Sequence, residues 1–161
     1  MSEDDSTFGR SVRVPAWTPP GWINAAMKLA LRTPGLQSWI GRSVALISWT
    51  GRRSGRRYTT PVSYHCSNGQ VTLLSKRFRN WWRNFDEQPW VELRLAGKVR
   101  TGRARASVGD EAALPRLVEF LEHNPRDAKG YGVEIDFDGR LDERDARALL
   151  SQVVVIEVTL D

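Results

Sequence analysis

The chain is poor in the residues that hold small proteins together covalently. One of its 161 residues is a cysteine, Cys66, so no disulfide can form within the chain, and neither a cysteine-based zinc site nor an iron–sulfur cluster can be built. A reducing compartment is the expected setting. No run approaches the roughly 20 apolar residues that a membrane span requires. The opening Met1-Ser2-Glu3-Asp4-Asp5 is acidic, whereas a secretory leader would be basic and then apolar. A soluble, cytoplasmic protein is expected. The most informative absence is of acid: no Asp or Glu occurs from Ser6 to Phe85, a stretch holding 13 basic residues and six of the seven tryptophans. Surfaces normally mix the two signs. So long a carboxylate-free stretch sustains a positive potential that concentrates anionic ligands. Residues 106–161 reverse the balance, with 6 basic against 13 acidic residues, and the whole chain ends at +5.

A chain of this length, 40% hydrophobic and 27% charged, fits one domain with a core of its own. Residues 1–16 show no apolar periodicity and are expected to be a mobile arm, leaving 17–161 as the domain. Trp22, Ile23, Ala26, Met27 and Ala30 recur at helical spacing opposite Asn24, Lys28 and Arg32, predicting an amphipathic helix over 22–32 that stops near Pro34-Gly35. A short helical piece is expected around Leu36–Ile40. Strands are expected at Ser43–Thr50, Tyr58–Cys66 and Gln70–Lys76. Asn68-Gly69 forms the turn between the last two, because it readily takes the positive φ angles of a tight hairpin. A short aromatic helix around Trp81–Phe85 precedes a second hairpin, Trp90–Leu95 with Lys98–Val108. Leu114, Leu117, Val118 and Leu121 mark a further helix, its start blurred by Pro115. Residues 126–140 read as a loop, Asp142–Leu150 as a short helix and Val153–Leu160 as a central strand. Six strands joined mostly by tight turns give a mainly β fold with flanking helices, α+β in class: a small antiparallel barrel. Pro61 cannot donate to a ladder, so it marks an edge or the place where such a barrel splits.

The segment Thr50-Gly51-Arg52-Arg53-Ser54-Gly55-Arg56-Arg57-Tyr58-Thr59-Thr60-Pro61 has the makings of a phosphate cradle. Two glycines let backbone N–H groups converge, hydroxyls at Thr50, Ser54, Thr59 and Thr60 add donors, and the arginines offer bidentate forks. It is not a Walker A loop, since Gly51 and Gly55 are wrongly spaced and no Lys-Ser/Thr follows. Taken with the strand end Ser75-Lys76 and Asn80-Trp81-Trp82-Arg83-Asn84, this segment resembles the deazaflavin-dependent nitroreductase family of split β-barrel oxidoreductases. The resemblance runs from about Ile40 to Leu95. It implies a split barrel of the flavin-reductase, FMN-binding kind, with the Gly/Arg/Ser turn on the phosphate of coenzyme F420. The Ser75-Lys76 strand end and the aromatic helix would then lie along the ring. The implied cofactor-binding residues are Thr50, Gly51, Arg52, Arg53, Ser54, Gly55, Arg57, Thr59, Thr60, Pro61, Ser75, Lys76, Trp81, Trp82 and Asn84. The implied activity is hydride transfer from reduced F420 to a small organic acceptor such as a quinone or nitro compound, and FMN is the alternative cofactor. An acidic polyglutamate tail on the cofactor would suit the carboxylate-free stretch. The chain departs from the family in two places. Lys76-Arg77-Phe78-Arg79 leads almost directly to Trp81, and Arg57-Tyr58 stands where Pro-Arg is common.

Tyr131, between Gly130 and Gly132, is the candidate proton donor or lid for the acceptor pocket. Adjacent helical residues diverge by about 100°, so only one of Trp81 and Trp82 can stack on a ring. His65 and Cys66 are neighbours in a strand and face opposite sides, which excludes a nucleophile–base pair. His123 reads as a helix C-terminal partner. Asp136, Asp138, Asp142, Glu143 and Asp145 lack calcium-loop spacing, because Gly139 falls at the fourth position rather than the sixth. No metal is expected. A non-enzymatic reading has the basic face and the 22–32 helix bind anionic lipid at a membrane surface, with nucleic acid not expected as a partner. Related split barrels share their site between subunits, so a homodimer is implied, and Trp17 with the arm could cover its interface.

Overall fold

The computed structural model describes residues 12–16, 20–30, 32–33, 42–87 and 89–161. Six strands form a closed antiparallel barrel in the order β1-β2-β3-β6-β5-β4: β1 Val44–Thr50, β2 Arg57–Ser67, β3 Gln70–Lys76, β4 Trp90–Leu95, β5 Lys98–Val108 and β6 Val153–Leu160. Alternation along each strand sends one set of side chains inward. Ile47, Trp49, Val71, Leu73, Val91, Leu93, Ala104, Val154, Ile156 and Val158 fill the barrel, and Phe85 plugs it from a 3-10 turn, Trp81–Phe85. The opposite face of β3 and β6, through Leu74, Val153 and Val155, is covered by helices α2 (Leu114–His123) and α4 (Glu143–Leu150). Leu117, Phe120, Leu121 and Leu149 lie buried between the helices and the sheet. Helix α1 is Gly21–Ala30, and α3 is Pro125–Gly130.

Both hairpins turn at the expected residues. Asn68 (φ 51°) and Gly69 (φ 76°) link β2 to β3, and Ala96 (φ 45°) and Gly97 (φ 83°) link β4 to β5. The proline splits the barrel. Pro61 pairs with Leu46 of β1, but the β2–β3 ladder holds only from Tyr64–Ser67 against Gln70–Leu73. Beyond Leu73, strand β3 continues along β6 alone, so Pro61–Ser63 and Leu74–Lys76 stand apart. The gap between them is one of the two cavities described below.

Three expectations need correction. Residues 126–140 are not all loop: α3 forms there because Pro125 pre-sets its first turn, and Ile135 bridges back to Leu141. One buried residue, Ala128, is too little apolar pattern to announce so short a helix. The arm expected over 1–16 is held at Val12 and Val14: the Gln152 side chain accepts from Val14 N–H at 3.1 Å and donates to Val12 O at 2.6 Å, with Val12 buried. A glutamine 138 residues away is invisible to local periodicity. Helix α1 ends at Ala30, before the expected Arg32. The piece expected at Leu36–Ile40, the stop at Pro34-Gly35, and Trp17 lie outside the described residues.

Candidate active site

The arginine turn between β1 and β2 closes on itself. Gly51 N–H donates to Arg56 O and Gly55 N–H to Gly51 O, both at 2.8 Å, while Gly55 takes φ 64° at no steric cost. Arg56 N–H is taken by Ser54 Oγ at 3.3 Å. Asn84 fixes the turn from outside. Its Oδ1 accepts from Arg52 N–H at 3.1 Å, and its Nδ2 donates to Trp81 O at 2.8 Å. Arg52 also reaches Asp86, at 3.4 Å. The backbone N–H groups of Arg53 and Ser54 have no hydrogen-bond partner among the described residues, and the Arg53 guanidinium has no ion pair there.

These groups rim a cavity of about 430 Å³ lined by Gly51, Arg52, Arg53, Ser54, Asn80, Arg83 and Asn84, with Trp49, Tyr58 and Trp81 as its aromatic wall. Trp49 stands at the centre of that wall, 5.8 Å from Tyr58 in a stacked arrangement and 5.5 Å from Trp81. It is 6% exposed, and its indole Nε1 has no hydrogen-bond partner among the described residues. A buried orphan donor of this kind costs about 1–3 kcal/mol. A Cβ added at Gly51 would stand 2.7 Å from Ser54 Oγ and from the Tyr58 ring, so only glycine lets those side chains close in. Free loop N–H groups, an unpaired arginine and a hydroxyl around one concavity fit a phosphate group.

The second cavity, about 350 Å³, occupies the split. Pro61, Val62 and Ser63 of β2 face Leu74, Ser75 and Lys76 of β3 across it, and Pro15, Arg79, Phe120, Asp127, Gly130 and Tyr131 complete it. The Lys76 ammonium donates to Pro15 O. Burial, with Arg79 nearby, pulls its pKa below the usual lysine value. Ser75 is buried, its hydroxyl donating to Lys76 O at 3.3 Å. Burial pushes the Tyr131 hydroxyl far above its ordinary range, and Asp127 pushes it further. Burial likewise raises the Asp127 carboxyl, opposed by a hydrogen bond from Ser63. The short Lys76–Trp81 segment separates the cavities: Lys76 and Arg79 face one, Asn80 and Trp81 the other.

The sequence candidates thus divide. Gly51, Arg52, Arg53, Ser54, Trp81 and Asn84 meet at the first cavity, and Pro61, Ser75, Lys76 and Tyr131 at the second. Five others do not line either. Arg57 is turned to Glu92 at 2.9 Å, Thr59 bonds Ser48 at 2.8 Å, and Thr60 reaches Pro61 O at 3.5 Å. Thr50 pairs in register with Arg57, and Gly55 serves the turn. Trp82 also points elsewhere, donating to Arg77 O at 3.3 Å beneath the Arg83 guanidinium. One tryptophan of the pair faces the cavity, as helical geometry required. Sequence reasoning passed over Trp49, Tyr58, Asn80 and Arg83 in the first cavity, and Ser63, Arg79 and Asp127 in the second. Strand alternation could have placed Trp49 inside; nothing local points to Asp127. His65, half-buried, contacts Glu119 at 3.3 Å and stacks on His123 at 4.1 Å, while Cys66 is exposed on the other side of β2. His123 Nδ1 meets Glu119 O at 2.8 Å near the end of α2. Asp136 Oδ1 accepts from Asp138 and Arg140 N–H in a local turn, and no cluster that could hold a metal occurs among the described residues.

A closed six-stranded antiparallel barrel, split at Pro61 beside an arginine turn, defines the split-barrel class. Solved structures share this fold. An FMN-binding protein related to pyridoxamine 5'-phosphate oxidase from Nostoc punctiforme is 11% identical, over 88% of this chain and 82% of its own, at a TM-score of 0.52. General Stress Protein 26 from Bacillus anthracis is 13% identical, over 84% and 89%, at 0.50. A protein described as a domain-swapped dimer is 19% identical, over 83% and 92%, at 0.51. No curated protein matches the chain. The family model for F420H(2)-dependent quinone reductase matches residues 24–136, and the chain belongs to that family. It is an F420-dependent oxidoreductase. No helix among the described residues is long and apolar enough to cross a membrane.

Proposed function

We propose that the chain binds coenzyme F420 with its phosphate in the arginine turn and its ring toward the barrel split, and reduces a small organic acceptor, a quinone or nitro compound. The observation that carries this reading is the turn: two free N–H groups, Ser54 and an unpaired Arg53 around one cavity, beside a buried indole without a partner. Arg53 and Ser54 would hold the phosphate, Arg52 would keep the turn closed through Asp86, and Trp81 would flank the cofactor. When bound, the cofactor supplies the hydride. The chain positions it, keeps water out with Phe120 and Leu74, and surrounds the acceptor with Lys76, Arg79 and Tyr131. Neither cavity needs a catalytic triad for this chemistry.

The test is an equilibrium titration with F420, followed by quenching of its fluorescence. Low-micromolar binding that weakens in Arg53→Ala and Ser54→Ala supports the proposal; no binding at saturating cofactor defeats it. FMN run in parallel decides the alternative cofactor, since tighter FMN binding would replace F420 in this reading. Peripheral contact with an anionic membrane is proposed for residues 22–32, where Leu29 is 69% exposed on α1. Co-sedimentation with phosphatidylglycerol vesicles that is lost in Leu29→Asp supports it. A homodimer is proposed by likeness to the fold relatives, and light scattering measures it.

A further inference from the structure

Hydride transfer to a carbonyl acceptor leaves a second requirement, a proton for the oxygen. Among the described residues Asp127 is the one carboxylate that lines either cavity, in a chain otherwise crowded with acids on its C-terminal third. It lies in the first turn of α3, half-buried, receives a hydrogen bond from Ser63 across the split, and sits one helical turn before Tyr131. Ser63 comes from β2, Lys76 from β3, Arg79 from the segment after it, Asp127 from α3 and Tyr131 from just past its end, so polar groups from several elements line the split together with the acid. We propose that Asp127 is the general acid of this enzyme, delivering the proton that completes reduction of the acceptor in the split.

The proposal rests on the deazaflavin reading given above. A bound reduced deazaflavin would supply the hydride, two electrons with one proton, and the acceptor's oxygen would take the proton of the Asp127 carboxyl. A quinone leaves as hydroquinone. The O–H bond of the carboxyl breaks, the new O–H bond forms on the acceptor, and the carboxylate regains its proton from solvent. Tyr131 is the weaker acid, because its surroundings push its hydroxyl upward. Lys76 is engaged with Pro15 O. The raised Asp127 carboxyl stays protonated to higher pH than an exposed aspartic acid would.

Three measurements test this on the full chain. The first needs no cofactor. Carbonyl-carbon NMR of the free protein, with the Asp127 signal assigned by its loss in Asp127→Asn, should show a titration midpoint above the ordinary aspartate value of about 3.9. An ordinary or lower midpoint overturns the proposal, even if no cofactor binds. Second, Asp127→Asn should bind F420 within about twofold of the parent while kcat with a water-soluble naphthoquinone falls by about 100-fold, the low end for a lost general acid. Binding retained with kcat within threefold overturns the proposal and leaves the deazaflavin reading standing, whereas absent binding in the parent chain defeats that reading. Third, Ser63→Ala removes a hydrogen bond to the carboxylate, so the basic limb of the kcat–pH profile should move to higher pH. An unmoved limb overturns the assignment, and this variant serves should Asp127→Asn fail to fold.

Discussion

The Asn84 side chain joins the arginine turn to the aromatic helix, accepting from Arg52 N–H at 3.1 Å while donating to Trp81 O at 2.8 Å. An amide is suited to this position because it offers an acceptor and a donor 32 residues away from the turn it holds. Asn84→Ala removes both bonds, worth about 0.5–1.5 kcal/mol each. The turn would then populate its closed form less, and apparent affinity falls by the same fraction. F420 affinity is expected to drop about tenfold, read by fluorescence titration, with far-ultraviolet circular dichroism unchanged. Asn84→Asp, which can accept but not donate once ionised, should lie between the parent and the alanine variant.

Gly51 gives a second test of the same cavity. A methyl group there would meet Ser54 Oγ and the Tyr58 ring, both at 2.7 Å, and the Tyr58 hydroxyl is itself bonded to Ser54 at 3.1 Å. Gly51→Ala therefore has to drive Tyr58 off the Trp49 face. Near-ultraviolet circular dichroism, which reports the packing of aromatic rings, should change, and F420 binding should weaken by at least tenfold. Gly55→Ala acts differently, since the space around it is open but φ is 64°. Its cost is the left-handed conformation, about 1 kcal/mol. It should lower stability while leaving the aromatic signal alone.

The strands, both hairpin turns and the split at Pro61 were legible because each follows from a local rule: alternation, the positive φ of Asn-Gly, and proline's missing N–H. The arginine turn was legible in composition but not in aim. Six of the residues predicted to bind the cofactor, Trp82 among them, line neither cavity, because where a side chain near the turn points depends on partners such as Glu92 and Ser48 on other strands. The cavity in the split was legible only in part. Ser75, Lys76 and Tyr131 stand out by resemblance or by flanking glycines, whereas Asp127 enters the pocket through the docking of α3, a helix with too little apolar pattern to read.

Two carboxylates should give the stability–pH curve opposite slopes. Burial raises the Asp127 carboxyl, so the folded chain keeps that proton longer than the unfolded chain does. Its contribution is most favourable below about pH 4 and is lost as pH rises through the folded pKa. Asp127→Asn is therefore expected to raise Tm at pH 7 relative to the parent, with the gap closing below about pH 4. Burial also works to raise Glu119, but hydrogen bonds from Ser67, His65 and Arg116, with the nearby His65 charge, outweigh it and hold that carboxyl below its usual value. Its contribution is present above about pH 4 and lost as pH falls through the folded pKa. Glu119→Gln should lower Tm at pH 7 and converge on the parent in acid. Calorimetry from pH 3 to 8 reads both, and a destabilised Asp127→Asn at pH 7 would contradict the burial of its carboxyl.

Salt separates the charge of the turn from its shape. Arg53 is exposed and unpaired among the described residues, so a phosphate bound there is held by an ion pair open to screening. F420 affinity should fall between 50 and 500 mM NaCl, where the screening length shortens from about 14 to about 4 Å. Arg53→Ala should weaken binding by about tenfold at low salt, in keeping with about 1.5 kcal/mol for a hydrogen bond to a charged group. It should also flatten the salt dependence. Ser54→Ala, which removes a neutral donor, should weaken binding while keeping the parent's slope. Equal slopes for the parent and Arg53→Ala would mean that the guanidinium takes no part, and the backbone N–H groups of the turn would then carry the phosphate alone.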